Sequence, residues 1–430
     1  MILMFSGSLD ENDPSSIAWM LVACALVLLM TPGLAFFYGG MVRTKNALNT
    51  MMMSYASLGL VGVIWALLGY SLAFGPGNSF IGGFEYALLN GVGLEASGSI
   101  PHLLFMAFQG TFAIITAALI SGAIVERMRF GPYLAFISIW VLVVYAPVCH
   151  WVWGGGWIAN LGGGSGALDY AGGTVVHINA AAAAVVAARM LGPRRDYGAK
   201  ALLPHNVPFT LLGAGLLWFG WFGFNAGSAL VADEGAALAF VNTMLAPSAA
   251  ITIWLLLDLR HTGRTTAIGL ATGLVVGLVA ITPAAGFIGP IYALLLGAIA
   301  AVPCYYGIMW RSRTSLDDSL DVAAAHGGGG ITGALLVGVF ATAAWGGRDG
   351  AIAGNFGQLG IQAVAVLATI AYSGFASYGI LKLISLVTPL RVSQSEEARG
   401  LDVPMHGEQA TTTGEGAILM LPTTADTEGR

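Results

Sequence analysis

Two segments indicate the architecture of this chain: DYAGGTVVHINA at residues 169–180 and DSLDVAAAHGGGG at residues 318–330. In each stretch an aspartate precedes a histidine by eight residues, giving the pairs Asp169 and His177, and Asp318 and His326. Both histidines lie inside apolar runs of about 20 residues, the length a helix needs to cross a hydrocarbon core of about 30 Å. Ionisable groups in such spans are costly and usually face the bundle interior or a permeation path. The pattern predicts a membrane protein with a polar site inside a helical bundle.

The composition agrees with this interpretation. Apolar residues make up 57% of the 430 residues and charged residues 9%, against about 25% charged in an ordinary soluble domain. Runs long enough to cross a membrane can be placed eleven times, at residues 16–39, 50–74, 102–124, 131–149, 171–191, 208–230, 235–257, 266–284, 287–310, 321–344 and 357–388. The fold predicted is an all-α polytopic membrane protein with 11 transmembrane helices.

Basic residues are concentrated in alternate loops, which predicts the orientation of the chain by the positive-inside rule. These loops contain Arg43, Lys45, Arg127, Arg129, Arg194, Arg195, Lys200, Arg260, Arg264, Arg311 and Arg313, whereas the opposite loops have Arg348 alone. We therefore expect the N-terminus outside and the C-terminus inside. The domains are an extracytoplasmic segment (1–15), a transmembrane domain (16–388) and a cytoplasmic tail (389–430). No basic region precedes the first apolar run, so a cleavable signal peptide is not expected.

The two Asp-to-His elements lie on helices predicted to run in opposite directions. Eight residues of helix, at about 1.5 Å each, span about 12 Å. His177 would thus descend from the outside as far as His326 ascends from the inside, and the two rings would meet near the midplane. Two inverted five-helix halves with the functional site at their interface have this arrangement, and the eleventh helix stands outside the repeat.

Each of these residues also has a purely structural interpretation. A single intramembrane histidine can be a neutral ring hydrogen-bonded to a neighbouring helix. Asp169 and Asp318 are well placed to cap the helices that follow them. Ser228, near the end of the sixth run, can be a small packing residue. The predicted meeting of two histidines at one depth favours a functional role for that pair.

Several classes of function are disfavoured. The net charge of -5 gives no basic stripe for a phosphate backbone, so nucleic acid is not an expected partner. Cys24, Cys149 and Cys304 lie in or beside apolar runs, where thiols act as small hydrophobes. Neither metal-ligand spacing nor a phosphate-binding glycine loop occurs, and no metal or cofactor is expected. A membrane enzyme using both histidines would need further Cys, Asp or Glu at the same depth.

Seven motifs are similar to those of the ammonium transporter (Amt/MEP/Rh) family, closest to its Amt branch, across residues 16–410. They are GLAFFYGGMVRTKN (33–46), FQGTFA (108–113), WVWGGGW (151–157), DYAGGTVVHINA (169–180), WFGFNAGSA (221–229), AITPAAGFIGP (280–290) and the stretch around His326. The resemblance implies an ammonium or ammonia channel in the cell inner (plasma) membrane, assembled as a homotrimer with one pore per subunit.

The resemblance also assigns roles to individual residues. It implies twin pore histidines at His177 and His326, a cation-recruitment site at Phe112, Trp153 and Ser228, a gate of stacked phenyl rings at Phe112 and Phe224, further pore-lining residues at Trp221 and Val322, and a structural, transport-supporting role for Asp169. GLDVPMHGEQAT (400–411) resembles the family's cytoplasmic motif, which normally ends in Ala-Tyr where this chain has Ala410 and Thr411. A PII-type signalling protein is the partner implied at that face.

The leading hypothesis is that ammonium is recruited outside, loses its proton near the gate and passes as ammonia along an apolar pore. A bare cation in such a pore is strongly disfavoured, whereas neutral ammonia is not. The alternatives are a neutral gas (NH3/CO2) channel of the Rh type, an ammonium sensor, and the membrane enzyme described above.

Overall fold

The computed structural model describes residues 11–411, so most of the predicted N-terminal segment and residues 412–430 of the predicted tail lie outside the described residues. Eleven main helices follow one another: α1 (Pro14–Met41), α2 (Thr44–Phe74), α3 (His102–Ser121), α4 (Phe130–Val152), α5 (Gly173–Leu191), α6 (Val207–Ala229), α7 (Glu234–Thr262), α8 (Ala267–Ile281), α9 (Pro290–Arg311), α10 (Ala323–Phe340) and α11 (Phe356–Val387). Within residues 11–411, ten of them are long and apolar enough to cross a membrane, and α8 is shorter.

The eighth predicted span differs from the structure. The apolar run extends over residues 266–284, but α8 ends at Ile281, after 15 residues. Pro283 follows and has no N–H to donate to the carbonyl of Val279, so α-helical hydrogen bonding stops there although Thr282 keeps helical angles. The chain then continues as buried turns, in which the carbonyls of Ala285 and Ile288 accept hydrogen bonds from Asn242 Nδ2 at 2.8 Å each. Non-helical backbone at this depth is tolerated because protein satisfies its polar groups.

Short elements complete the described chain. Between α2 and α3 the two-residue strands β1 (Ala96–Ser97) and β2 (Ile100–Pro101) pair antiparallel. Further short helices lie at Ala87–Leu89, Leu161–Gly164, Ala343–Gly346 and Ala351–Ala353, and two more follow α11 at Gln394–Arg399 and Asp402–His406. Helix α1 packs along α6, and α11 packs against α5 and α10. These helices surround the centre of the bundle.

One end of the bundle, here called the basic face, gathers loops that the sequence places on the same side. Arg43, in the loop after α1, lies 2.8 Å from Glu126, in the loop after α3. Arg194, in the loop after α5, lies 3.2 Å from Glu126 and 2.8 Å from Asp317, in the loop after α9. These contacts join loops from both halves of the chain at one end of the molecule.

The described part of the tail packs on the basic face. Both carboxylate oxygens of Asp402 accept backbone N–H groups at the start of α2, from Leu48 at 3.1 Å and Asn49 at 2.8 Å. Glu397 accepts the backbone N–H of Arg195 at 2.7 Å. Residues 389–411 therefore belong to the folded bundle.

Candidate functional site

The rings of His177 and His326 meet at the centre of the bundle. Their Nδ1 atoms lie 3.2 Å apart, and the ring centroids are 5.2 Å apart with an interplanar angle of 29°. Both side chains are buried, with 2% and 3% of their surface exposed. The contact predicted from the two eight-residue spacings is confirmed.

Aspartates fix the start of both histidine helices. Asp169 accepts four backbone N–H groups, those of Gly172, Gly173, Thr174 and Val175, at 2.6–3.1 Å. Asp318 accepts the N–H groups of Val322 and Ala323 at 3.1 and 2.7 Å. Both carboxylates occupy the positive end of a helix, where unpaired N–H groups need acceptors. Asp169 and Asp318 therefore cap the helices that follow them, which is the structural role considered for each from the sequence.

Each histidine lies on a π turn, at Gly173–Ile178 in α5 and Ala323–Gly328 in α10. The two helices cross closely and antiparallel. A Cβ on Gly330 would lie 3.1 Å from the Gly173 carbonyl oxygen, and one on Gly327 would lie 3.1 Å from the Cβ of Ala181. Residues further along α10 thus lie beside residues nearer the start of α5, as expected for an antiparallel pair. Glycine allows the approach that brings the rings into contact.

Aromatic rings continue from the histidine pair toward the end opposite the basic face. Trp221 stacks on His177 with centroids 5.4 Å apart, and its Nε1 donates to Thr282 Oγ1 at 2.9 Å. Phe224 stacks on Phe112 at 4.2 Å with an angle of 24°.

The series of rings ends at Trp153, which meets Phe112 edge-on at 6.0 Å. Trp153 Nε1 donates to the carbonyl of Asp169 at 2.9 Å, and this bond ties the ring to the residue that caps α5.

Ser228 and Val322 lie at the margins of this series. Ser228 follows Phe224 by one helical turn and its hydroxyl donates to the Phe224 carbonyl at 2.8 Å. The proton is therefore engaged, and the lone pairs of Oγ remain as acceptors. Val322 is buried directly before the π turn of His326.

Three cavities follow one another along the series. One of about 640 Å³ at the end opposite the basic face is lined by Trp153 and His102. One of about 10 Å³ is lined by Phe224, Trp221, His177 and His326, and has room for about one water-sized molecule. One of about 170 Å³ at the basic face is lined by His326, Tyr38 and Asp321. The arrangement is two larger cavities, here called vestibules, with the small cavity at the histidines between them.

Comparison with known proteins identifies the family. The model of the Ammonium Transporter Family matches residues 18–411. The chain belongs to this family. The transporter is 48% identical to an ammonium transporter of Bacillus subtilis over 398 residues, which are 91% of this chain and 97% of that protein. It is 49% identical to one from Aquifex aeolicus over 403 residues, 93% of each chain.

Solved structures share the fold of the transporter. The crystal structure of Candida albicans Mep2 superposes with a TM-score of 0.84 at 35% identity, covering 90% of this chain and 88% of that one. A structure described as a sensor Amt protein superposes with a TM-score of 0.85 at 31% identity, covering 91% and 98%. The relatives are named as transporters, so this is a family of multi-pass membrane transporters rather than of enzymes.

Sequence reasoning missed the acidic partners at the basic face of the transporter. Burial alone would raise the pKa of Glu126, but hydrogen bonds from Arg43 and the charge of Arg194 outweigh it and hold that pKa below its ordinary value. Burial also opposes ionisation of Asp317, and Arg194 with Arg127 keeps its pKa lowered. The signal was present in the sequence, because both acids occur in the loops whose arginines predicted the orientation.

Sequence reasoning also missed the polar lining of the larger vestibule. His102 Nε2 and Tyr70 OH share a hydrogen bond of 2.5 Å, and Tyr86 meets the His102 ring edge-on at 4.9 Å. His102 begins α3, where the sequence shows only the edge of an apolar run. Nothing in that local pattern indicates its partners.

Proposed function

We propose that this transporter moves ammonium across the cell inner (plasma) membrane in two parts. NH4+ is recruited in the larger vestibule and releases its proton near the gate, NH3 passes through the histidine constriction, and the proton follows by a relay that includes the histidine pair, so that net positive charge crosses. The observation that carries the proposal is the cavity of about 10 Å³ at His177 and His326, flanked by a vestibule on each side. Ammonia is close to water in size, and a cavity of this volume holds about one such molecule.

Recruitment is assigned to Trp153, Phe112 and Ser228. An aromatic face attracts a cation by about 0.5–2 kcal/mol, the upper value applying when water is excluded. The lone pairs of Ser228 Oγ can accept a hydrogen bond from an N–H group of ammonium. A cation without hydrogen atoms cannot donate such a bond, so the site favours ammonium. The stacked rings of Phe112 and Phe224 then separate this site from the constriction, as a gate.

Passage of the neutral molecule follows from desolvation and from the histidine pair. Moving a bare cation into an apolar constriction is strongly unfavourable, and potassium has no proton to release. When two neutral imidazoles share an Nδ1 proton, the donor ring has an unprotonated Nε2 and the acceptor ring has an Nε2–H. The pair thus offers one acceptor and one donor, and ammonia can bond with both.

For the whole molecule we propose eleven crossings in an inverted 5+5 repeat plus one helix, with the N-terminus outside and the tail cytoplasmic. The antiparallel crossing of α5 and α10 and the clustering of basic loops support this topology. The motifs and the family support a homotrimer in the lipid bilayer. Contact with a PII-type protein would take place at the basic face, where the tail packs.

The proposal is tested by solid-supported-membrane recordings on proteoliposomes. An ammonium jump should produce a current with the protein and none with empty liposomes, and a matched potassium jump should produce none. Uptake of ammonia without current would favour the neutral gas channel of the Rh type. Binding of ammonium without either signal would favour a sensor, the alternative supported by the similarity to the sensor Amt structure.

A further inference from the structure

A long apolar groove lies behind the two histidine helices, on the side away from the pore. It has a volume of about 480 Å³ and runs between α5, α9, α10 and α11. Ala324, Gly327 and Gly328, all on the π turn that carries His326, form part of its wall, and Ala182 of α5 forms another. These small side chains leave the groove open. The proposed transport path does not use it.

One end of the groove carries positive charge. Along α5 the wall residues Ile178, Ala182 and Val185 follow helical spacing, and the next position of that series is Arg189. Arg189 and Arg313 are exposed, and within residues 11–411 neither forms an ion pair. Both lie at the basic face.

Trp310 and Arg311 also line the groove at the end where Arg189 and Arg313 lie. Arg311 pairs with Asp321 at 2.5 Å, so its charge is already matched. Trp310 is 69% exposed, and an exposed indole at a helix end is typical of the membrane interface. The groove therefore has an apolar body reaching toward mid-depth and a basic, aromatic mouth at the level of the headgroups.

We infer that this groove binds an anionic phospholipid of the leaflet at the basic face, with one acyl chain in the groove and the headgroup at Arg189 and Arg313. Basic pockets between transmembrane helices at the cytoplasmic side recognise such headgroups. The acyl chain would lie directly against the turn that carries His326. A bound lipid would then support the wall of the pore constriction from behind.

Two glycines allow the groove to be filled without disturbing helix packing. A Cβ on Gly307 would lie 3.6 Å from Ala324 Cβ, and one on Gly374 would lie 3.9 Å from Val186 Cγ2, both ordinary contacts. Gly307→Leu and Gly374→Leu therefore place a side chain in the groove. Gly379→Leu is the matched control, since Gly379 is on the same helix as Gly374, does not line the groove, and a Cβ added there would meet no atom within 4 Å.

The headgroup contact has its own control. Arg189→Gln with Arg313→Gln removes two charges at the mouth. Arg260→Gln with Arg264→Gln removes two exposed charges from the same face at the end of α7, where neither arginine lines the groove. The net charge of the two double variants is the same.

The measurement is native mass spectrometry of the full chain titrated with phosphatidylglycerol or phosphatidylcholine. We expect tighter binding of phosphatidylglycerol, about fivefold weaker binding for each mouth arginine removed, and weaker binding of both lipids in the two groove-filling variants. Equal binding by Gly374→Leu and Gly379→Leu would overturn the proposal, as would equal losses in the two arginine pairs. A changed subunit number in Gly374→Leu would also overturn it, by assigning the groove to a second copy. None of these results depends on transport.

Discussion

Nδ1 of His326 faces Nδ1 of His177 at 3.2 Å, although the two residues are 149 positions apart in the chain. One Nδ1 must carry the shared proton, so the two Nε2 atoms differ in protonation. Within residues 11–411, Nε2 of His177 has no hydrogen-bond partner although it is buried. A buried polar atom beside a cavity for one small molecule is the feature expected where that molecule binds in passing.

Replacing both histidines with leucine should lower the ammonium current about thirtyfold, because a passing molecule loses two hydrogen bonds of about 1 kcal/mol each. The measurement is the current after an ammonium jump, normalised to the protein in each liposome preparation. His261→Gln, an exposed histidine at the end of α7, is the control. Unchanged current and unchanged rejection of potassium in the double variant would refute the role of the pair.

Removing one ring of the proposed gate should allow potassium to pass. In Phe224→Ala the stack with Phe112 is lost, and a hydrated path from the larger vestibule toward the histidines opens. Phe222 and Phe240 form a stack of nearly the same geometry, at 4.2 Å and 26°, and Phe222→Ala serves as the control. A potassium current should appear in the first variant only. If both variants, or neither, conduct potassium, the stack is not the gate.

Asp169→Asn should destabilise the transporter by about 1–3 kcal/mol, since charge-assisted bonds to four N–H groups are weakened or lost. It should also lower transport, because the same turn positions Trp153 and His177. Unfolding in detergent and ammonium current would be measured together. Asp233 accepts one N–H at the start of α7, and an asparagine oxygen can still accept it, so Asp233→Asn should cost less stability and leave the current unchanged. Equal effects of the two substitutions would contradict this.

The ion pairs at the basic face should make stability depend on acidity. The pKa values of Glu126 and Asp317 are lowered in the folded protein, so their contribution is present above the ordinary carboxyl range. It is lost as the pH falls through the lowered folded values. Thermal unfolding of the wild type should therefore move to lower temperature on acidification below about pH 4.

Glu126→Gln tests this assignment, because it removes one charge of a buried cluster and should cost about 3–5 kcal/mol at neutral pH. The same variant should show a smaller loss on acidification, since one of the titrating groups is absent. Glu234→Gln, at an exposed helix start, is the control. A wild-type stability that does not change between pH 7 and pH 3 would be inconsistent with the lowered pKa values.

The contact between the histidines could be predicted because it depends on three properties that sequence exposes: apolar length, charge in the loops, and a spacing of eight residues. The stacking of Trp221 on His177 could not be predicted, since it depends on how α6 packs against α5, which no local pattern encodes. Apolar length likewise could not show that α8 ends at Ile281, because a buried irregular turn is as apolar as a helix. The ion pairs of Glu126 and Asp317 with arginines of the basic loops could not be predicted either, because the sequence does not show which loops contact one another.

In the π turns at Gly173–Ile178 and Ala323–Gly328, each backbone hydrogen bond joins residues five apart in the chain, instead of four apart as in an α-helix. Deleting a single residue, such as Ala324, would restore ordinary α-helical spacing and move residues within the turn by one position, each position being worth about 100° around the helix axis. His326 would then point away from His177 although every functional side chain were still present. At these two turns the number of residues matters as much as their identity, so a one-residue insertion or deletion there would be a change in the pore itself.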